Sequence, residues 1–206
     1  MIAVAVTGAS GPILGIRLIE ELLKAGGQVH AVASEGAWRV IGHELGYTKS
    51  GSAPLTALVK KRAVAPVKLL AESDDEDFLS PLASGTTPLE ALVVAPCSMK
   101  TLSAAANGYS DSLITRACDV ALKERRRLVL VVRETPLSAI HLENMLKLAR
   151  AGAFVLPPAM AFYTRPKTLS DMTDFVVGKI LNTVGVEHSL FKSWGEQSAK
   201  LKKRKK

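Results

Sequence analysis

The sequence predicts a single α/β domain built on a doubly wound, mostly parallel sheet. Three observations carry that expectation. Short apolar runs alternate with amphipathic stretches of helical period along the chain. The runs are continuously apolar rather than alternating, as strands are when helices cover both faces of their sheet. A third is that no repeat and no Gly-, Pro- or Ser-rich linker divides the 206 residues, a length sufficient for one sizeable core. At 48% apolar residues the chain reads as globular.

Taken in order, Ile2–Val6 is the first strand. It is apolar from its start and lacks the basic residues that open a secretory leader, so it does not read as a signal peptide. The stretch "TGASGPILGIRLIEELL" then turns into a helix over Pro12–Lys24. Pro12 suits a first helical turn, where its missing N–H costs nothing. Gln28–Ala33 reads as strand and Glu35–Leu45 as helix. From Lys49 to Ser73 the pattern is weak, with only Val67–Leu70 strand-like, and the acidic "ESDDED" beyond reads as a surface loop. Ala91–Ala95 is the next strand, stopped by Pro96. Helices follow over Ser98–Ala106 and Ser112–Lys123, then a strand at Leu128–Val132 and a helix at Ser138–Arg150. Ala153–Leu156 and Leu169–Val184 supply the last strand and helix. Ser138 and Ser170 are read as N-caps, and Gly152 and Gly185 as helix stops.

Charge and cysteine content narrow the classes. The net charge is +8, but six basic groups sit in the last seven residues, "KLKKRKK"; +8 less six leaves +2. The tail reads as a solvated run of like charge, and the domain does not read as a nucleic-acid binder. No run of 18 apolar residues suggests a membrane span. Cys97 and Cys118 are too few for a disulfide framework, which fits a reducing cytoplasm. No H-x-x-x-H or H-E-x-x-H is formed by His30, His43, His141 and His188, so no metal site is expected. The expected organisation is a domain over 1–190 and a C-terminal segment over 191–206.

The first candidate site is the glycine turn. Gly8, Gly11 and Gly15 stand where strand meets helix, and such a turn presents backbone N–H groups and a positive dipole end to a phosphate. The spacing is G-x-x-G-x-x-x-G, not the dinucleotide G-x-G-x-x-G, and the second strand ends on Ser34 before Glu35 rather than on a ribose-binding acid. Tyr163 and Lys167 stand at the Y-x-x-x-K spacing of short-chain dehydrogenases, but Pro166 argues against the helix that spacing needs. A mononucleotide phosphate cradle is favoured over a plain structural turn.

Two further stretches carry chemistry. In "APCSMKTL", Ser98, Met99, Lys100 and Thr101 open a helix at a strand's carboxyl end, where open α/β sheets bind ligands. Cys97 reads as a buried small residue. Beyond the fifth strand, Arg133 is suited to a phosphate and Glu134 to moving protons; a mutual ion pair is the alternative.

Together these segments resemble one family. "TGASGPILGIRL", "APCSMKTLSAAANGYSDSLITRACDVALKERRRLVLVVRETPL", "HLENMLKL", "LPPAMAFYTRP" and "DFVVGKILNTVG" are similar, in order, to the UbiX-like flavin prenyltransferases. The match spans nearly the whole chain except residues about 47–80 and the tail. The resemblance implies a Rossmann-like flavoprotein, a homo-oligomer of dodecamer type, located in the cytoplasm. It implies transfer of a dimethylallyl group from dimethylallyl phosphate to N5 and C6 of reduced FMN without a metal. The prenylated FMN formed would serve a UbiD-type decarboxylase. The implied flavin-binding residues are Gly8, Ala9, Ser10, Ser34, Ser98, Met99, Lys100, Thr101 and Arg133. The implied donor-phosphate residues are Lys123, Tyr163 and Lys179, and the catalytic ones Ser10, Glu44 and Glu134. Trp194 resembles the family's C-terminal tryptophan. Lys179 stands where an arginine is common, which exchanges a bidentate grip for a point charge. The alternatives are a flavin-dependent cysteine-type decarboxylase, which the lack of a histidine between His43 and His141 disfavours, and a flavin carrier.

Overall fold

A six-stranded sheet, all parallel, organises the chain in the order β3-β2-β1-β4-β5-β6. The structure, a computed structural model, describes residues 1–62, 65–192 and Trp194. The strands are β1 (Ile2–Val6), β2 (Val29–Ala33), β3 (Leu70–Asp74), β4 (Ala91–Cys97), β5 (Arg127–Val132) and β6 (Phe154–Val155). The helices are α1 (Ile13–Lys24), α2 (Glu35–Leu45), α3 (Pro54–Arg62), α4 (Met99–Asn107), α5 (Leu113–Lys123), α6 (Ala139–Arg150) and α7 (Leu169–Val184). Every residue of β1, β2 and β4 is buried, which is why these strands read as unbroken apolar runs. One core lies between the sheet and α1, α2, α3 and α7, through Ile16, Leu18, Ile41, Leu55 and Ile180. The other lies against α4, α5 and α6, through Leu102, Leu113, Cys118 and Leu148.

The predicted elements recur with instructive shifts. Val67–Leu69 is a 3-10 turn rather than a strand, and β3 begins at Leu70, pairing Leu70 with Val29. As an edge strand β3 is only partly buried, so it tolerates Glu72 and Asp74. Half of the acidic stretch read as a loop is therefore strand. Pro96 does not stop β4, which runs on to Cys97 with a register irregularity after Val94. Helix α3 was absent from the sequence reading. Its first turn is capped from another strand: Glu72 accepts the Leu55 and Thr56 N–H groups, each at 2.9 Å. The cap of α7 is Thr168, not Ser170; Thr168 Oγ1 accepts the Asp171 N–H at 3.1 Å and completes a capping box. Ser138 caps α6 as expected, and Gly185 ends α7 at φ +79°. The segment expected over 191–206 lies outside the described residues apart from Phe191, Lys192 and Trp194.

Candidate functional site

The carboxyl ends of β1, β2, β3, β4 and β5 open into one cleft of about 530 Å³. Each strand there is followed by a tight turn, and the starts of α2, α4 and α5 point into the same space.

The glycine turn after β1 is shaped by contacts on three sides. A Cβ on Gly8 would stand 3.1 Å from Gly36 Cα, so the first and second turns meet backbone to backbone. Gly11 adopts φ +89°, and its N–H donates to Glu44 Oε2 at 2.9 Å. A Cβ on Gly15 would lie 2.1 Å from the Ala95 carbonyl oxygen, so this glycine seats α1 on β4. The turn is tied to the next helix start by buried Thr7. Thr7 Oγ1 donates to the Pro96 carbonyl at 2.7 Å and accepts the Ser98 N–H at 2.8 Å.

Helices α2 and α4 begin alike. Ser34 Oγ accepts the Ala37 N–H at 3.1 Å, and the Ser34 carbonyl takes that of Trp38. Ser98 Oγ accepts the Thr101 N–H at 3.3 Å, and the Ser98 carbonyl takes that of Leu102. In both helices the first two N–H groups, of Glu35 and Gly36 and of Met99 and Lys100, have no acceptor among the described residues. Four backbone donors are thus left facing the cleft, each at a positive dipole end. Arg133 and Glu134 close the far side. The Glu134 carboxylate accepts the Thr135 N–H at 2.9 Å, and no Arg133–Glu134 ion pair occurs among the described residues. Both side chains are exposed and face the cleft separately.

Helix α5 starts differently. Asp75 arrives from the end of β3, its carbonyl accepts the Leu113 N–H at 2.7 Å, and its Oδ1 accepts that of Ile114 at 2.9 Å. Burial pushes the Asp75 carboxyl upward, against these hydrogen bonds. Burial likewise holds Cys97 far above an ordinary thiol and raises Cys118 to about 12, so neither supplies a thiolate. No group of three or more His, Cys, Asp or Glu is placed to hold a metal among the described residues.

Of the residues singled out from the sequence, Gly8, Ala9, Ser10, Ser34, Ser98, Met99, Lys100, Thr101, Arg133 and Glu134 line the cleft. Glu44 does not; it holds the glycine turn from behind, through Gly11. Lys123 ends α5, the opposite end from the cleft, and pairs with Glu124. Lys179 is exposed on α7, away from the cleft lining. Tyr163 packs edge-on against Phe175 and Trp194, with ring centroids 5.8 and 4.9 Å apart. Residues 162–167 are not helical, so Tyr163 and Lys167 do not share a helix face. The sequence reading missed Thr7, whose buried hydroxyl looks like ordinary strand filler, and Asp75, concealed in an acidic run. It also missed Ser112 and Thr115, whose S-x-x-T cap spacing was the available signal.

A cleft of helix starts and glycine turns at the carboxyl edge of a parallel sheet defines a flavoprotein-type nucleotide site. The family model described as Flavoprotein matches residues 1–182. The chain is 48% identical over 194 residues to the flavin prenyltransferase UbiX of Methanocaldococcus jannaschii, covering 94% of this chain and 98% of that protein. It superposes with a TM-score of 0.83 on the crystal structure of AnUbiX (PadA1) in complex with FMN and dimethylallyl pyrophosphate, at 41% identity over 94% of this chain and 96% of that one. A dodecameric FMN-dependent UbiX-like decarboxylase from Escherichia coli O157:H7 gives a TM-score of 0.82 at 38% identity, covering 94% and 99%. This chain belongs to the UbiX family of flavin prenyltransferases.

Proposed function

We propose that the cleft binds reduced FMN and that the protein transfers a dimethylallyl group from dimethylallyl phosphate to its N5 and C6, with no metal. The observation that carries this reading is the donor set: four unpartnered N–H groups at two helix starts, with Arg133 and Glu134 opposite, in a space of mononucleotide size. The cleft fits FMN because the backbone approaches closely at Gly8 and Gly36, with no side chain in the way.

The residues divide the work by charge. Expelling phosphate from an allylic ester builds negative charge on the leaving group, which Arg133 is suited to stabilise from the cleft wall. Ser10 supplies a hydroxyl in the glycine turn, next to the reacting nitrogen in this reading. Glu134 is the proton acceptor for ring closure in this reading: of the two exposed cleft carboxylates, Glu35 pairs with Arg39 at 3.7 Å, whereas Glu134 accepts only the Thr135 N–H. Glu44 acts at one remove, holding the turn that carries Ser10. Lys123 and Lys179 contact donor phosphate in this reading only from a neighbouring copy, since within their own chain they face elsewhere. Tyr163 and Trp194 form an aromatic edge suited to an allylic cation.

The assembly is a homo-oligomer, the prenylated FMN passes to a UbiD-type decarboxylase, and the setting is the cytoplasm. No helix among the described residues is long and apolar enough to cross a membrane. Anaerobic incubation with reduced FMN and dimethylallyl phosphate tests the reading. A flavin heavier by one C5 unit is expected; unaltered FMN would favour a carrier. A cysteine-type decarboxylase would instead release carbon dioxide from a peptidyl or pantothenoyl cysteine.

A further inference from the structure

The chain beyond α7 doubles back along that helix. Gly185 ends α7 at φ +79°, and the Val186 N–H returns to the Leu181 carbonyl at 3.0 Å. His188 and Phe191 then settle over one spot on α7, with ring centroids 5.0 Å apart. That spot is the buried Gly178: a Cβ there would stand 2.6 Å from His188 Cε1 and 2.5 Å from Phe191 Cε1. Both rings therefore occupy the space that a side chain at 178 would fill. From Phe191 the aromatic contacts run to Phe175 at 4.9 Å, then to Tyr163 at 5.8 Å, and from Tyr163 to Trp194 at 4.9 Å. Packing alone does not explain a histidine here. Its Nδ1 accepts the Leu190 N–H at 3.2 Å, so the proton sits on Nε2, which is buried with no hydrogen-bond partner among the described residues. An apolar ring would avoid that cost. What histidine adds is the Nδ1 acceptor, which closes the 188–190 turn just ahead of Phe191.

We infer that His188 is a positioning residue for the prenyl donor: seated with Phe191 in the Gly178 notch, it fixes the returning chain so that Trp194 meets Tyr163. Those two rings are the aromatic edge assigned above to the allylic group, and such a wall acts on a delocalised cation only if it is held in place. Tyr163 lies in the connection between β6 and α7, so packing rather than regular structure places it. Phe175 carries the restraint to it, because its ring touches both Phe191 and Tyr163. None of Gly178, His188, Phe191 and Trp194 lines the flavin cleft, so the arrangement acts on the donor and not on FMN. This inference rests on the prenyl-transfer reading and adds the residues that hold its donor wall.

The test compares His188→Ala in two backgrounds, the native chain and Trp194→Ala, with reduced FMN and dimethylallyl phosphate as substrates. In the native background kcat/KM for dimethylallyl phosphate should fall about five-fold, the scale of one aromatic contact. FMN affinity, read by flavin fluorescence, should stay at its wild-type value. In Trp194→Ala the same substitution should change nothing further, because the ring it positions is already gone. A merely structural His188 would lower the melting temperature without this dependence on Trp194. An unchanged kcat/KM in His188→Ala, an equal loss in both backgrounds, or a parallel loss of FMN affinity overturns the inference. Should His188→Ala not fold, Gly178→Ala fills the same notch from the helix side, where alanine favours helix, and is read by the same outcomes. A wild type that forms the C5 flavin while the variants keep its kcat/KM refutes the positioning alone. A wild type that leaves FMN unaltered refutes the transfer reading and the positioning with it.

Discussion

The hydroxyl of Thr7 joins two turns that lie far apart in sequence. It is buried, and it satisfies both the Pro96 carbonyl and the Ser98 N–H. Thr7→Val keeps the shape but leaves the Ser98 N–H without its acceptor and the Pro96 carbonyl with only the Thr7 N–H at 3.3 Å, at a cost of about 1–3 kcal/mol. Because Ser98 caps α4, weaker FMN binding should accompany the lower stability; denaturant melts and flavin titration check both. Glu134 tests the chemistry itself. Glu134→Gln keeps the acceptor for Thr135 but removes the base, so flavin carrying the C5 unit without the fourth ring should accumulate. Normal yield of the cyclised product, measured by absorbance and mass, would remove Glu134 from the mechanism. Both residues show what a sequence displays at this scale. Glu134 was legible because it stands directly past an apolar strand, where chemistry in open sheets collects. Thr7 was not, because its partners come from β4 and no local pattern records a contact 89 positions away.

Among the elements, β3 was the least legible and has the most to do. An edge strand half open to water loses the continuous apolar signature, and Glu72 and Asp74 disguise it as loop. Helix α3 was hidden for a related reason: its cap is Glu72, 16 or 17 residues downstream, rather than a local Ser or Asp. By contrast β1 and β5 were plain from apolar runs, as strands buried inside the sheet, and α1 and α2 from helical period, each packing one face on the core. The tie between β2 and β3 is polar: His30 Nε2 lies 2.8 Å from Ser73 Oγ, which donates to Ser80 Oγ at 2.9 Å. Burial lowers the His30 pKa below its ordinary 6.5, with Asp77 opposing. The unfolded chain therefore binds the proton more readily, and the folded state loses stability as pH falls through 6.5 toward the depressed value. Below that value both states are protonated and the loss levels off. Urea unfolding across this window should show a decline in stability that His30→Gln lacks. An identical pH profile in the variant would assign the decline to other groups.

At the scale of the whole molecule, the surface is unfinished. Ile140, Leu142 and Leu146 leave one face of α6 exposed, and Phe154 stands open on the two-residue edge strand β6. Apolar clusters of this kind mark association surfaces on soluble proteins, and a bare sheet edge invites pairing. The sequence displayed the motif containing Lys123 but not which cleft it serves. In the folded chain, α5 carries Ser112 at the cleft and Lys123 at the opposite end. If Lys123 grips donor phosphate, it does so across a subunit boundary, and assembly is part of the active site. Subunit mixing decides this. Lys123→Ala and Glu134→Gln should each make little cyclised product alone. Denatured together and refolded as mixed oligomers, they should regain part of the wild-type yield, because some clefts combine an intact Glu134 with an intact Lys123 from a neighbour. Recovery no greater than the sum of the two separate variants would place Lys123 outside the reaction. Leu146→Glu supplies the complementary measurement: smaller species by analytical ultracentrifugation, with unchanged circular dichroism and lost transferase activity, are expected if the α6 face holds those clefts together.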